Sequence, residues 1–144
     1  MIAYGGVMDA GPGVDRLLAR ARMGLRRLEP RQAADAVRRG AVLVDTRPAS
    51  QRQTDGEIPG ALLIERNHLE WRLDPSSGAR IPEAVDRHVA WIIICDEGYS
   101  SSLAAASLKD LGLPNVADVI GGFQAWRDAG LPVTPPPPDP EQHQ

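Results

Sequence analysis

Residues 89–101 of this 144-residue chain read VAWIIICDEGYSS, and this segment is the most informative about the fold class. Its first seven residues are apolar and end at Cys95, the single cysteine of the chain. A short apolar run of this kind is typical of a strand that is buried on both faces of a parallel sheet. The glycine of DEGY indicates a turn, and the following residues predict a helix that begins near Ser100 and ends at Gly112.

Strands and helices alternate along the rest of the chain as well. The other predicted strands cover residues 41–45, 61–64 and 115–120. The predicted helices cover residues 14–27, 30–39, 68–73, 100–112 and 123–130. This alternation predicts an α/β fold in which a parallel sheet lies between helices. Ligands of such sheets bind at the carboxyl ends of the strands, which is where Cys95 is placed.

The length allows one ordinary domain with a segment at each end. We predict a flexible N-terminus over residues 1–13 and a basic amphipathic helix, packed on the domain, over residues 14–27. The domain itself covers residues 28–133, and a proline-rich tail over residues 134–144 is expected to be disordered. A single cysteine excludes an intrachain disulfide, and the three histidines show no metal-ligand spacing. We therefore expect no metal.

Charge and hydropathy exclude further classes of function. The formal net charge is −3, which argues against nucleic-acid binding. The longest apolar run has seven residues, whereas a helix needs about 20 to span a bilayer. The start of the chain lacks the basic and apolar segments of a secretory signal, and a free cysteine suits a reducing compartment. We expect a cytoplasmic protein with no membrane and no nucleic-acid partner.

The position of Cys95 favours a reactive thiol. The loop that follows can turn several backbone N–H groups toward one point, next to the positive end of a helix. A thiolate at that point is stabilised, and the thiolate is the nucleophilic form of cysteine. A cysteine at the end of a buried strand is also a common packing residue. The local pattern leaves both interpretations open.

Four short motifs follow one another along the chain. They are VLVDTRP at 42–48, GEIPGA at 56–61, CDEGYSS at 95–101 and VIGGFQAWRDAGLPV at 119–133. Together they resemble the single-domain rhodanese-like (sulfurtransferase) family over residues 28–133. The resemblance implies an α/β fold with a five-stranded parallel sheet sandwiched between helices. It also implies that Cys95 carries sulfur, and that Asp45 and Arg47 are the structural acid and arginine of the family.

The resemblance implies double displacement chemistry. The Cys95 thiolate attacks the outer sulfur of a donor and keeps it as a persulfide, which an acceptor thiol or cyanide then removes. The implied partners are a small sulfur donor and a thiol acceptor, or a protein persulfide donor. No cofactor is implied. The loop residues whose amides would bind the sulfur are Asp96, Glu97, Gly98, Tyr99, Ser100 and Ser101.

The loop departs from the family pattern in its charge. Members that use thiosulfate commonly carry arginines where this chain has Asp96 and Ser100, and Glu97 adds a second acid. We therefore expect weak activity with thiosulfate. Arg66 and Arg72 follow the strand expected beside the cysteine strand and are candidates to face the substrate, with plain surface positions as the alternative.

Three further hypotheses follow from the same loop. Relatives that handle phosphate or arsenate need an arginine where this chain has Ser101, so we rank those activities below sulfur transfer. The serines at 100–102 are expected to cap the following helix, since hydroxyls are favoured there.

The alternative function is a non-catalytic rhodanese-like module for binding or redox sensing, which the missing loop arginines favour.

Overall fold

The computed structural model describes residues 11–138, and its centre is one five-stranded sheet. The strands are β1 Arg26–Leu28, β2 Val42–Asp45, β3 Leu62–Leu63, β4 Trp91–Ile94 and β5 Val116–Val119. They lie in the order β1-β5-β4-β2-β3, and every pairing is parallel. The predicted five-stranded parallel sheet is confirmed. The strand that leads to the cysteine, β4, occupies its middle.

Helices cover both faces of the sheet. They are α1 Val14–Met23, α2 Pro30–Arg38, α3 Ala49–Asp55, α4 Leu69–Leu73, α5 Ser100–Leu111 and α6 Gly122–Asp128, with a 3₁₀ turn at Arg66–His68. Residues of α2 and α6 share one apolar core with the sheet, and residues of α4 and α5 share the other. Helix α1 packs on the outside of α5. No helix within residues 11–138 combines the length and the apolar composition that a membrane span requires.

The two cores explain why the cysteine strand is apolar throughout. Ile92 and Ile94 point into the core under α2 and α6, whereas Trp91 and Ile93 point into the core under α4 and α5. All four side chains are at most 2% exposed. Because neither face meets water, the strand has no polar positions to alternate with the apolar ones. The apolar run therefore reflects the burial of this central strand on both faces of the sheet.

The helix predicted over residues 14–27 is too long. Helix α1 ends at Met23, and Gly24 follows it as the C-terminal cap. Residues 26–28 form β1 instead, pairing with β5 at the edge of the sheet. Leu25 and Leu28 continue the helical spacing of the apolar residues, so periodicity alone gave no sign of this strand. The edge position explains why β1 tolerates two arginines, since an edge strand has an exposed side.

Two other segments differ from the sequence-based expectation. Helix α3 lies between the predicted strands 41–45 and 61–64, where the sequence predicts no helix; its seven residues are mostly polar. The proline-rich tail, predicted to be disordered from residue 134, begins with an ordered contact. Thr134 and Glu57 exchange two backbone hydrogen bonds of 2.7 and 2.9 Å as an antiparallel bridge. The predictions for residues 1–10 and 139–144 lie outside the described residues.

Candidate active site

Cys95 lies at the carboxyl edge of the sheet, directly after β4, and is 4% exposed. Its backbone is held by the start of α6, where the amide of Phe123 donates to the Cys95 carbonyl at 2.8 Å. The amide of Gln124 donates to the next carbonyl, that of Asp96, at 3.1 Å. The loop after the cysteine is therefore fixed by a neighbouring helix as well as by its own strand.

Three groups of the loop converge on the sulfur. The amides of Gly98 and Ser101 donate to Cys95 Sγ at 3.1 and 3.3 Å. The Ser101 hydroxyl lies 3.1 Å from Sγ. The protonated thiol donates to this hydroxyl, whereas a thiolate accepts a hydrogen bond from it. The arrangement therefore offers an anionic sulfur three donors, which is the kind of site that stabilises a thiolate.

The helix-capping role expected for the serines is wrong. Residue Tyr99 holds the N-cap position of α5, and no side chain makes a capping hydrogen bond there. Ser101 and Ser102 are both fully buried and point inward. Ser101 contacts the cysteine, and Ser102 donates to the Asp118 carboxylate at 2.6 Å. The Ser101 hydroxyl therefore bonds the sulfur and the Ser102 hydroxyl bonds a buried carboxylate. Neither hydroxyl bonds the free amides at the start of α5.

Two glycines allow the loop to approach α6. Gly98 has a φ of 91°, a left-handed conformation that other residues rarely adopt. Gly122 has a φ of 61°, and a Cβ there would lie 2.6 Å from the carbonyl oxygen of Cys95 and 2.7 Å from the amide nitrogen of Gly98. A side chain at Gly122 would therefore displace the sulfur-binding loop.

Asp45 and Arg47 form a buried ion pair beside the site. The Arg47 Nη2 donates to the Asp45 carboxylate at 2.9 Å, and both side chains have no exposed surface. The same nitrogen donates to the Gly56 carbonyl at 2.9 Å, and the guanidinium stacks on the Phe123 ring at 3.8 Å. This pair connects the end of β2 with α6 and with the turn after α3.

A cavity of about 260 Å³ opens beside Cys95. Its lining residues are Thr46, Arg47, Pro48, Gln51, Cys95, Asp96, Glu97, Tyr99 and Ser100. Arg47 contributes the single cation of this lining, and its charge is balanced by Asp45. Asp96 and Glu97 are the two acidic residues of the lining. The Asp96 carboxylate accepts a hydrogen bond from Gln124 at 2.9 Å, whereas Glu97 and Tyr99 are exposed.

The two arginines considered as substrate-facing do not reach this cavity. Arg66 forms an ion pair with Glu70 at 2.9 Å, and Arg72 donates to the Ala79 carbonyl at 3.1 Å. Burial alone would raise the pKa of Glu70, but the hydrogen bond from Ser107 and the charge of Arg66 bring it below its ordinary value. The expectation for Arg66 and Arg72 is corrected, because both side chains bind their own surface segment.

The comparison with protein families settles the family membership. The model of the rhodanese-like domain family matches residues 29–129, most of the chain. The chain belongs to the rhodanese-like domain family. Within residues 11–138, no group of three or more histidine, cysteine, aspartate or glutamate side chains is arranged to hold a metal ion.

Individual relatives of this rhodanese-like domain are similar over most of their length. The thiosulfate sulfurtransferase GlpE of Pseudomonas savastanoi is 35% identical over 102 residues, which are 71% of this chain and 87% of that protein. A solved structure of Rhodopseudomonas palustris RPA3614, described as a possible tyrosine phosphatase of unknown function, is 33% identical with a TM-score of 0.78. It covers 85% of this chain and 95% of its own.

A third relative shares the fold alone. The polysulfide-sulfur transferase homodimer of Wolinella succinogenes is 20% identical, with a TM-score of 0.69. The match covers 92% of this chain and 93% of the Wolinella chain. The two proteins therefore share one fold over most of their lengths.

The sequence analysis did not identify Arg22, Arg27 and Asp118, which form a hydrogen-bonded network with Gly98 and Ser102. Arg22 of α1 donates to the Gly98 carbonyl at 2.8 Å and to the Ser102 hydroxyl at 3.0 Å. Arg27 of β1 pairs with Asp118 at 3.2 Å, and that carboxylate in turn accepts from Ser102. The contacts of the two arginines join residues 76 to 91 positions apart. No local pattern signals them, since the arginines look like solvated positions of one basic helix.

Proposed function

We propose that this protein is a sulfurtransferase that carries sulfane sulfur as a persulfide on Cys95. The observation that supports this most directly is the convergence of two amides and one hydroxyl on Cys95 Sγ. A cysteine that only fills space needs no such donors, whereas a sulfur that passes through anionic states does. The name of one relative points to the same chemistry, since GlpE of Pseudomonas savastanoi is a thiosulfate sulfurtransferase.

The reaction is a double displacement with no net redox change in the protein. In the first step the Cys95 thiolate attacks the outer sulfur of the donor, and a sulfur–sulfur bond forms on Cys95. The bond within the donor breaks, and its electron pair leaves on sulfite or on the donor thiolate. In the second step a thiolate or cyanide attacks the outer sulfur of the persulfide, and the electron pair of the broken bond returns to Cys95.

The loop geometry determines which charges the site tolerates. A hydrogen bond to a charged group contributes about 1.5–3 kcal/mol. A carboxylate about 7 Å from a unit negative charge costs about 0.6 kcal/mol in water and about 2.4 kcal/mol at an effective dielectric constant of about 20. Two amides and a hydroxyl can therefore hold an anionic sulfur despite Asp96 and Glu97. A dianionic donor feels twice the repulsion and finds no uncompensated cation in the cavity lining.

We infer that thiosulfate is a poor donor for this reason. A small persulfide, or a protein persulfide whose surface is basic near its sulfur, carries less negative charge into the acidic opening. A thiol is the natural acceptor for the second step, and a free thiol nucleophile fits a reducing compartment such as the cytoplasm. Phosphoryl transfer is disfavoured, because Ser101 stands where a bidentate arginine would be needed and points its hydroxyl at sulfur.

Steady-state sulfur transfer to cyanide, followed as thiocyanate, tests this proposal. Wild-type protein is expected to turn over faster with a small-molecule persulfide than with thiosulfate. Cys95→Ser is expected to form no thiocyanate from either donor while keeping the wild-type melting temperature. Ser101→Ala should slow the reaction, whereas Ser107→Ala should not, because Ser107 bonds Glu70 and lies outside the sulfur site.

The result also separates the enzyme from the non-catalytic module. No thiocyanate from any donor with folded wild-type protein would favour a binding or redox-sensing role. Activity that persists in Cys95→Ser would contradict the persulfide mechanism. A faster reaction with thiosulfate than with the persulfide would contradict the argument from the acidic loop.

A further inference from the structure

Arg22 is the one side chain of α1 that is bonded to the sulfur-binding loop among the described residues. The family model matches residues 29–129, so Arg22 lies outside the matched range. We propose that Arg22 is a positioning residue for sulfur transfer, which holds the Gly98 carbonyl and thereby keeps the Gly98 amide on the Cys95 sulfur. This inference rests on the proposed function and adds a residue to its machinery.

The contacts of Gly98 show what Arg22 controls. The Gly98 amide donates to Cys95 Sγ at 3.1 Å, and its carbonyl accepts from Arg22 Nη2 at 2.8 Å. The residue has a left-handed backbone, and glycine is the residue with the most backbone freedom. The hydrogen bond to its carbonyl therefore restrains Gly98 from the side opposite the sulfur, in addition to the contact of the loop with α6. Arg22 therefore fixes the orientation that the sulfur requires.

Ser102 cannot replace Arg22 in this task. Its hydroxyl lies 3.3 Å from the Gly98 carbonyl and 2.6 Å from the Asp118 carboxylate. A hydroxyl has one proton to donate, and the shorter contact to a charged acceptor takes it. Arg22 Nε in turn donates to the Ser102 oxygen at 3.0 Å, which leaves the serine proton directed at Asp118. Arg22 is thus the effective donor to the Gly98 carbonyl.

The charge of Arg22 adds to its geometric role. No carboxylate forms an ion pair with Arg22 in the part of the chain that the structure describes, whereas Arg27 pairs with Asp118 and Arg47 pairs with Asp45. Burial and the charge of Arg27 lower the pKa of Arg22, while Asp118, Tyr99 and Cys95 act to raise it. The guanidinium also lies 5.8 Å from the centre of the Tyr99 ring. It places a cation behind a loop whose own charged side chains are acidic.

Alkylation of Cys95 by iodoacetamide across a pH range tests the proposal. Three variants are compared with wild type: Arg22→Met, Arg22→Lys and the control Arg16→Met, an exposed arginine on the same helix. We expect Arg22→Met to slow alkylation at near-neutral pH about ten-fold and to move the pH midpoint up by about one unit. We expect Arg16→Met to match wild type, and Arg22→Lys to recover part of the loss through its charge.

The readouts distinguish positioning from simple stability and from the function itself. If folded Arg22→Met shows the wild-type rate and midpoint, the proposal is overturned. If Arg22→Met does not fold, Arg22→Gln takes its place and must show the same upward shift, because glutamine carries no charge. Persulfide formation by each variant should follow its alkylation rate. Absence of persulfide in wild type would refute the proposed function, while the alkylation profile would still decide the role of Arg22.

Discussion

Replacing Gly122 by alanine should disable the sulfur site through a single methyl group. The Cβ would lie 2.6 Å from the Cys95 carbonyl oxygen and 2.7 Å from both the Asp96 carbonyl oxygen and the Gly98 amide nitrogen. All three are backbone atoms of the loop that binds the sulfur. Because none of these atoms belongs to a flexible side chain, the clash can be relieved only if the loop or the start of α6 shifts. Gly130→Ala is the matched control, because it has a φ of 76° and nothing within 4 Å of the added Cβ.

The two variants share one cost and differ in another. A left-handed conformation costs a residue with a Cβ about 1–2 kcal/mol, and this applies to both sites. Overpacking adds about 1–3 kcal/mol at Gly122 alone. We therefore expect the free energy of unfolding to fall by about 2–5 kcal/mol in Gly122→Ala and by about 1–2 kcal/mol in Gly130→Ala. At about 4 °C per kcal/mol for a chain of this size, the middle of each range corresponds to a fall in melting temperature of about 14 °C and about 6 °C.

The assay combines thermal melting with the amount of sulfur loaded on Cys95 at a temperature where both variants are folded. A shift of about 0.4 Å brings the shortest contact of Gly122→Ala only to 3.0 Å, the closest distance that real Cβ atoms show. The same shift weakens the 3.1 Å bond from the Gly98 amide to the sulfur, so loading should fall about ten-fold or more. Equal melting temperatures and wild-type loading in both variants would refute the claim that α6 holds the loop in place.

Three other predictions concern charge, pH and the tail. Asp96→Arg combined with Ser100→Arg should raise thiosulfate turnover about ten-fold at low salt, with the gain shrinking as salt is added; unchanged turnover would show that loop charge is not limiting. The pKa of Glu70 is lowered in the fold, so wild type should exceed Glu70→Gln in stability by about 1 kcal/mol above about pH 4.3 and lose this advantage as the pH falls through the folded value; denaturant titrations across pH check this. Deleting residues 135–144 should change the melting temperature by less than about 2 °C, whereas a deletion that also removes Thr134 should lower it by several degrees through the lost bridge to Glu57; calorimetry of both deletions would show equal values if the bridge were unimportant.

The sequence was most informative where one local cause determines the structure. The apolar residues 89–95 identified the central strand, because burial on both faces leaves no other pattern. Gly112 ended α5 as expected, in a left-handed conformation. Strand β1 was not predicted, because the apolar residues up to Leu28 continue the spacing of a helix. Residues 26–28 form a strand through their pairing with β5. A three-residue edge strand is defined by its partner and not by its own composition.

The same distinction holds for the site. The position of Cys95 at the carboxyl edge of the sheet could be predicted, because its strand, loop and helix are contiguous in sequence. Arg22 could not, because its contact with Gly98 joins residues 76 positions apart. Asp118 could not either, because its role rests on contacts with Ser102 of α5 and Arg27 of β1 that only the fold brings together. Arg66 and Arg72 failed as substrate-facing residues because each has an acceptor within its own segment, Glu70 and the Ala79 carbonyl. In both cases the guanidinium hydrogen-bonds an acceptor close to it in sequence and does not extend to the cavity beside Cys95.

Intact-protein mass spectrometry of the wild type and of Cys95→Ser, after incubation with a small-molecule persulfide or with thiosulfate, tests the central claim most directly. The account predicts the gain of one sulfur atom in wild type, more complete with the persulfide, absent in Cys95→Ser and removed by cyanide or by a thiol. A wild-type mass that stays unchanged with both donors, while iodoacetamide still alkylates Cys95, would contradict the account.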